Sequence, residues 1–515
     1  MTPRPRAGAR ERRSARSHDI VDLIARHARH ADRVALVDGE ERVTYAELLD
    51  LVERSAGALA AAGALAGRDG PARVGLACPN GVAHVALALG VLRGGGCVVP
   101  IASELSAPER LALVQSVDLD AIVVAEGATL AGVDRTVRAA ALDLPGWSAS
   151  ALVDPLGRRR SRPAFDAEAL ARVRPALIRL SSGTTGASKG VVIGHAALAR
   201  RVDAANRALE IAPGDRILWV LPMAHHFAVS VVLYLVAGAA TVLVESHLAE
   251  DMLSAAHRHE ATVLYAAPFH HALLASEPSG RPWDALRLAI STTASLPAAT
   301  ARAFADRFGR PLSQALGIIE VGLPAINLER AHDKPESVGR ALPDFAIEVR
   351  DGAGTPAAPG AVGELFVRGP GMLDAYLAPW RPRDEILQDG WFATGDLAEI
   401  DADGDLRLVG RARSVINVAG MKCFPEEIEA VLLEHPGVSA ARVSARPHPR
   451  VGSVPVAEVV AADPTRPPRE SALAAHCRAA LARFKVPVEF RLVAALPVTA
   501  SGKVRRATPS RSAHA

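Results

Sequence analysis

Lysine is scarce in this chain: 515 residues hold five lysines against 54 arginines. Arginine is the habitual source of positive charge, so each lysine marks a place where a compact ammonium replaces the planar guanidinium fork. Such a point charge suits a moving phosphate or carboxylate oxygen better than a surface ion pair. Cysteine is scarce too. Cys78, Cys97, Cys423 and Cys477 fall at spacings that match neither a disulfide framework nor a paired metal knuckle, and they read as reduced thiols of a cytoplasmic protein. No stretch is long and uncharged enough to span a bilayer. The arginine-rich residues 1–18 lack the apolar segment of a signal peptide and read as a disordered basic tail. Net charge is only +3, with no basic stripe interleaved with aromatics, so nothing supports nucleic-acid binding and a small molecule is the expected partner.

What is present is globular. Hydrophobic residues make up 49% and charged residues 22%, over a length that accommodates several domains. An apolar strand over Ala72–Cys78 leads into Pro79 and Asn80, a cap for a helix through Leu92, and a second strand follows over Cys97–Ile101. Ser106 and Pro108 open another helix that returns to the apolar run Ala121–Ala125, the alternation of a parallel sheet. The rhythm recurs over Arg216–Leu221, Ala240–Val244, Ala261–Ala267 and Leu286–Ser291, giving a second stacked α/β region. From Val338 to Leu408 the pattern changes to alternating strands with Gly, Pro and Asp-Gly turns, an antiparallel or barrel-like piece. After Gly410-Arg411 a helix from Pro425, two strands, a helix near Ser471–Phe484 and a strand near Phe490 form a small α+β unit. The expected fold is therefore α/β: a large domain over 19–410 with two stacked α/β subdomains and a β-barrel-like subdomain, then a small, separate α+β domain over 411–507 and a disordered tail over 508–515.

The densest chemistry lies in Leu180-Ser-Ser-Gly-Thr-Thr-Gly-Ala-Ser-Lys-Gly190. Backbone N–H groups freed by glycine, with the hydroxyls of Ser181, Ser182, Thr184 and Thr185, can wrap polyphosphate oxygens between Gly183 and Gly186 while Lys189 supplies charge. Lys189 lies three residues after Gly186 and a strand follows, which is not the spacing of a P-loop, so a kinase or GTPase is disfavoured.

Further motifs follow in order. They are Leu221-Pro-Met-Ala-His225, Ser291-Thr-Thr-Ala-Ser-Leu-Pro297, Gly317-Ile-Ile-Glu320, Trp391-Phe-Ala-Thr-Gly-Asp396, Gly410-Arg411, Asn417-Val-Ala-Gly-Met-Lys422 and Pro497-Val-Thr-Ala-Ser-Gly-Lys503. Taken together they resemble the adenylate-forming (ANL) superfamily, which includes acyl-CoA synthetases, luciferases and the adenylation domains of peptide synthetases, over nearly the whole chain. The acyl-CoA synthetase branch fits best. That resemblance implies ATP or acyl-AMP, CoA and magnesium as cofactors and a carboxylic acid as substrate. Thr293, Ala294 and Ser295 match the adenine-contacting turn, and Leu316, Gly317 and Ile319 the segment beside the nucleotide. Asp396 matches the ribose-binding aspartate, Arg411 the cofactor-site arginine at the domain junction, Gly420 and Lys422 the CoA path, and Arg413 the hinge. Lys503, His225, Glu320 and Thr185 match the catalytic set, with Glu320 also holding magnesium. Lys503 would bridge the substrate carboxylate and the α-phosphate, so catalysis is positioning and electrostatics. The small domain would then rotate to admit the CoA thiol. The acyl pocket is expected from His225, His226, Val229, Val231, Thr293, Leu316 and Ile318, a mostly apolar set that points to a hydrophobic or alicyclic acid.

Other features carry less. The His225-His226 and His270-His271 pairs lack the helical spacing and third ligand of a metal site. Asp401-Ala-Asp-Gly-Asp405 has Leu406 where a calcium loop requires glycine and reads as a hairpin turn.

One segment departs from the family pattern. Where relatives read Tyr-Gly-x-Thr-Glu, this chain reads Leu316-Gly-Ile-Ile319-Glu, so a phosphate oxygen loses a bond typically worth about 1.5–3 kcal/mol. A second reading follows: a CoA ligase that takes a preformed acyl-adenylate from a separate adenylating enzyme. The intact Lys503 and Glu320 favour the complete reaction. A third reading is an adenylation enzyme that loads a carrier protein. Ala228 stands where amino-acid-activating members carry aspartate, against an α-amino acid. A fourth, from another class, is a catalytically silent adenylate-binding homologue.

Overall fold

The computed structural model describes residues 19–30, 32–103, 105–128, 139–144, 146–156, 165–181, 189–411, 415–418, 421–448 and 452–497. Two nine-stranded sheets dominate the large N-terminal domain. In the first, Arg73–Ala77 lies at the centre, parallel to Cys97–Pro100 and Ala121–Ala125, and Cys97–Pro100 is in turn parallel to Pro175–Ser181. The helices Val82–Arg93 and Ala107–Val117 make the crossovers. The second starts where Ser106 and Pro108 were expected to open it, and a capping box closes the start: the Ser106 side chain accepts from the Glu109 N–H while the Glu109 carboxylate accepts from the Ser106 N–H. The first departs from expectation at its start: Gly81 is the N-cap, and Asn80 is engaged elsewhere.

In the second sheet Leu312–Ile318, Leu288–Ser291, Val263–Ala266, Arg216–Trp219, Ala240–Leu243 and Val34–Asp38 run parallel in that order. One face carries Leu218, Leu264 and Ala289 into a core with Met252, Phe304 and Phe308 from the outer helices. The other face carries Ile217, Trp219 and Ile290 into the central core, which also takes Val74, Leu76 and Leu177 from the first sheet. The helix Val82–Arg93 is buried on nearly every side between the two sheets, which its unbroken run VALALGVL suits. Both faces of both sheets are covered, hence the short apolar runs legible in the sequence.

The segment expected to be barrel-like is an antiparallel four-stranded sheet of Ala346–Arg350, Gly363–Arg368, Phe392–Ile400 and Leu406–Arg411. Its last hairpin contains Asp401, Asp403 and Asp405, whose carboxylate oxygens lie within 4.8 Å of one another. Lys334 fills the space between them, with Nζ at 2.5, 2.7 and 2.8 Å from the three. The ammonium stands where a calcium loop would hold its ion. Lys485 likewise pairs with Glu427 at 2.6 Å, so these two lysines serve ion pairs, contrary to what lysine scarcity suggested for the type as a whole.

The small C-terminal domain has its own core of Ile428, Leu432, Val443, Val459, Leu473 and Cys477. The helices Pro425–Leu433 and Glu470–Ala480 flank the long antiparallel pair Val438–His448 and Gly452–Ala461, with Phe490–Leu492 added in parallel. The second helix ends before the expected Phe484, and a short 3-10 turn, Arg483–Lys485, follows.

Candidate active site

Open parallel sheets place ligands beyond the carboxyl ends of their strands, where the chain leaves the ladder and side chains of several turns converge. Here the strand Arg216–Trp219 ends just before Leu221–His225, Leu288–Ser291 ends at the turn Thr292–Pro297, and Leu312–Ile318 ends just before Glu320. From the first sheet, Ser181 and Lys189 are register partners, so both ends of the phosphate segment are fixed at one rung. Ser182, Gly183, Thr184, Thr185 and Gly186 lie outside the described residues, as do Arg413, Gly420 and Lys503. Lys422 sits on the strand Met421–Cys423, opposite Asn417.

Lys189 and Glu320 meet through Tyr376. The Lys189 ammonium lies 4.8 Å from the centre of the Tyr376 ring, and the tyrosine hydroxyl donates to Glu320 Oε1 at 3.3 Å. Burial raises the Glu320 carboxyl above its ordinary range, against the pull of the Tyr376 bond and the charges of Arg179 and Arg201. Arg201 is buried, and that burial lowers its pKa to about 10. Its guanidinium donates to the carbonyl of Ile319 at 3.0 Å and to that of Gly371 at 2.9 and 2.7 Å, fixing the backbone beside Glu320.

His225 is placed by two residues that sequence reading did not assign to the site. Arg179 Nη1 donates to the His225 carbonyl at 2.6 Å, and Nη2 lies 3.4 Å from its Nδ1. The Asn80 amide donates to the Leu221 carbonyl at 2.9 Å and accepts from the Met223 N–H at 2.8 Å, so one side chain from the first sheet holds both sides of Pro222. Arg179, Met223, His225 and Ile319 line a small cavity with Pro100 and Leu177. The chain then passes from the helix Met223–His226 into a π-helical turn, Phe227–Val231, before Val232–Ala237 resumes α-geometry. Such turns re-aim side chains and are frequent at functional sites.

Next to it, Trp219 and Tyr265 stack at 5.6 Å between ring centres and 6° between planes. The ring of His226 stands edge-on to both at 6.1 Å. Val231 is fully buried and Leu316 nearly so, both within the central core, whereas Ile318 and Thr293 are half-buried and Gly317, Ala294 and Ser295 are exposed. Val229 belongs to the π-turn. Thr293 has φ +76°, a strained backbone for a β-branched residue.

Asp396 and Arg411 face each other across one rung of the four-stranded sheet, with Arg411 Nε 2.9 Å from Asp396 Oδ1. The Asp396 N–H donates to Thr394 Oγ1 at 3.0 Å, and the Thr394 hydroxyl donates to the Leu365 carbonyl at 2.9 Å, which fixes the turn. His270 and His271 serve elsewhere. His271 is fully buried beside the Ile290 carbonyl at 3.2 Å, and His270 lies 3.3 Å from His247. Burial pushes their pKa values down to about 3 and about 4.

Residues 24–377 match the family model described as AMP-binding enzyme, and residues 427–503 match the AMP-binding enzyme C-terminal domain. The sulfoacetate–CoA ligase of Cupriavidus necator is 33% identical over 95% of this chain and 96% of its own. A feruloyl-CoA synthase of an Amycolatopsis species is 31% identical over 93% of this chain and 95% of its own. Among solved structures, the o-succinylbenzoate CoA synthetase of Bacillus subtilis with its acyl-adenylate intermediate superposes with TM-score 0.78 at 25% identity, covering 94% of this chain and 96% of that one. No helix among the described residues is long and apolar enough to cross a membrane.

Proposed function

The chain belongs to the family of AMP-binding enzymes, and on that premise we propose how it works as an AMP-forming acid–thiol ligase. A carboxylate attacks the α-phosphorus of ATP, giving acyl-AMP and pyrophosphate. The CoA thiol then attacks the acyl carbon, giving the thioester and AMP. The observation that carries this reading is the meeting of Lys189, Glu320 and the His225 segment at the carboxyl ends of strands from two sheets.

In the first step two anions must approach each other, so positive charge and fixed dipoles do most of the work. Lys189 and the phosphate segment 181–186 receive the polyphosphate, and Asp396 accepts from the ribose hydroxyls while Arg411 keeps its carboxylate oriented. The turn Thr293–Ser295 faces the adenine. A half-buried carboxylate beside a phosphate site suits magnesium, a hard cation bound by one or two carboxylates together with substrate phosphates, and Glu320 fits that role. When bound, the metal neutralises phosphate charge. Lys503 bridges the attacking carboxylate and the α-phosphate. The small domain, 411–507, turns about Arg413 to bring Gly420 and Lys422 toward CoA after pyrophosphate leaves. ATP and CoA are cytoplasmic metabolites, and four free cysteines agree with that compartment.

The acid is hydrophobic. The half-buried rings of Tyr265 and His226, backed by the fully buried Trp219, give apolar surface near His225, which supports an aryl or alicyclic acid. Thioester formation with ATP and CoA, read by mass across acids of rising polarity, tests this. Efficiency should fall by about ten-fold or more from an aryl or alicyclic acid to a small hydrophilic acid. A preference for the small hydrophilic acid overturns the assignment of the pocket.

A further inference from the structure

Tyr376 occupies a strand of two residues, Ala375–Tyr376, that joins the two halves of the site. Its backbone is tied to the strand of Lys189: Tyr376 pairs with Val191, the Leu377 N–H donates to the Gly190 carbonyl at 2.7 Å, and the Asp374 N–H donates to the Val192 carbonyl at 2.9 Å. Three residues earlier, the Leu373 N–H donates to the Glu320 carbonyl at 2.7 Å, so the same short segment also grips the second sheet. Gly371, at its start, shares the Arg201 guanidinium with Ile319. The tyrosine side chain repeats the link, with its ring facing the Lys189 ammonium and its hydroxyl facing the Glu320 carboxylate.

The chemistry of that arrangement is specific. A lysine and a glutamate that converge on one ligand attract each other, and a direct ion pair would withdraw both from the ligand. An aromatic ring holds the ammonium through its quadrupole without itself adding a counter-charge. A phenol holds the carboxylate through one hydrogen bond while leaving the other oxygen to a ligand. Burial and the Glu320 charge push the phenol far above its ordinary pKa, so it remains a donor.

We propose that Tyr376 is a positioning residue for the adenylation half-reaction, setting Lys189 for the ATP phosphates through its ring and Glu320 for the divalent cation through its hydroxyl. This rests on the ligase reading above. The two functions separate by substitution, because Tyr376→Phe keeps the ring and removes the hydroxyl, whereas Tyr376→Leu removes both.

Three measurements on the full chain decide it: calorimetric ATP binding against magnesium concentration and in chelator, pyrophosphate exchange, and thioester formation from a synthetic acyl-adenylate. Tyr376→Phe should raise the magnesium concentration for half-maximal ATP binding by about ten-fold and slow exchange by a similar factor, while metal-free ATP binding stays unchanged. Tyr376→Leu should also weaken metal-free ATP binding by roughly three-fold or more. Both variants should form thioester from the adenylate within about two-fold of the parent, which reports an intact fold and CoA path. The proposal is overturned if Tyr376→Phe leaves the magnesium dependence unchanged, or if both half-reactions fall together in either variant. A parent enzyme that binds ATP without exchanging pyrophosphate would defeat the ligase reading instead, and the magnesium shift in binding would still decide the role of Tyr376.

Discussion

Glu320 is held in a state that its surroundings oppose. It is a half-buried carboxyl whose pKa lies above the unfolded value, so between those two values the folded chain binds more protons than the unfolded chain. Its contribution to stability is therefore present at low pH and lost as pH rises through the folded value. Glu320→Gln keeps the shape and removes the charge. The variant should be more stable than the parent at neutral pH, with a gap that closes as pH falls toward the ordinary carboxylate range, and adenylation should drop by roughly a hundred-fold. Thermal unfolding across pH, run beside pyrophosphate exchange, measures both, and a variant less stable than the parent at pH 8 would show that Glu320 is a structural charge. Glu320 was legible in the sequence because it closes a motif. Its neighbours Arg179, Arg201 and Tyr376 were not, since each acts on a residue that is remote in sequence and no local spacing advertises it. Thr293, by contrast, was legible as part of the turn, but its positive φ was not, because a β-branched residue is the last type a sequence reading would put there.

Among elements, the parallel strands Arg73–Ala77, Cys97–Pro100 and Ala121–Ala125 were readable almost to the residue, whereas Val34–Asp38, Pro175–Ser181 and Leu312–Ile318 were not singled out. Both faces of the first three are buried, and glycine, proline or a capping pair punctuates each end. The two-residue strand Ala375–Tyr376 was invisible, since its signal lies in its pairing with Val191 and Val192 on one side and with Arg381 and Pro382 on the other. Asn80 shows the same limit: Pro79-Asn80 before an apolar run is a fair cap signal, yet Gly81 caps the helix and Asn80 reaches across to Leu221 and Met223. Those bonds make the entry to the His225 helix depend on the opposite sheet. Asn80→Ala should therefore destabilise the chain by about 1–3 kcal/mol and raise KM for the acid more than it lowers kcat. Denaturant unfolding and steady-state kinetics test this, and an unchanged KM would mean that the His225 segment is fixed without Asn80.

At the scale of the whole molecule, ligand groups from two sheets converge at strand ends, and a small domain with its own core follows the last antiparallel hairpin. That division matches two successive reactions, one needing the phosphate site closed and the other needing a path for a thiol. We propose that this chain performs both, although Ile319 stands where the family pattern has a hydroxyl residue. Here Arg201 holds the Ile319 carbonyl, so the backbone is kept where the hydroxyl is missing. Acid-dependent exchange of labelled pyrophosphate into ATP isolates the first step from everything after it. Exchange should occur with hydrophobic acids, depend on magnesium and be abolished in Lys503→Ala. No exchange with any acid, alongside ready thioester formation from synthetic acyl-adenylates, would contradict the proposal and leave an enzyme of the CoA step alone.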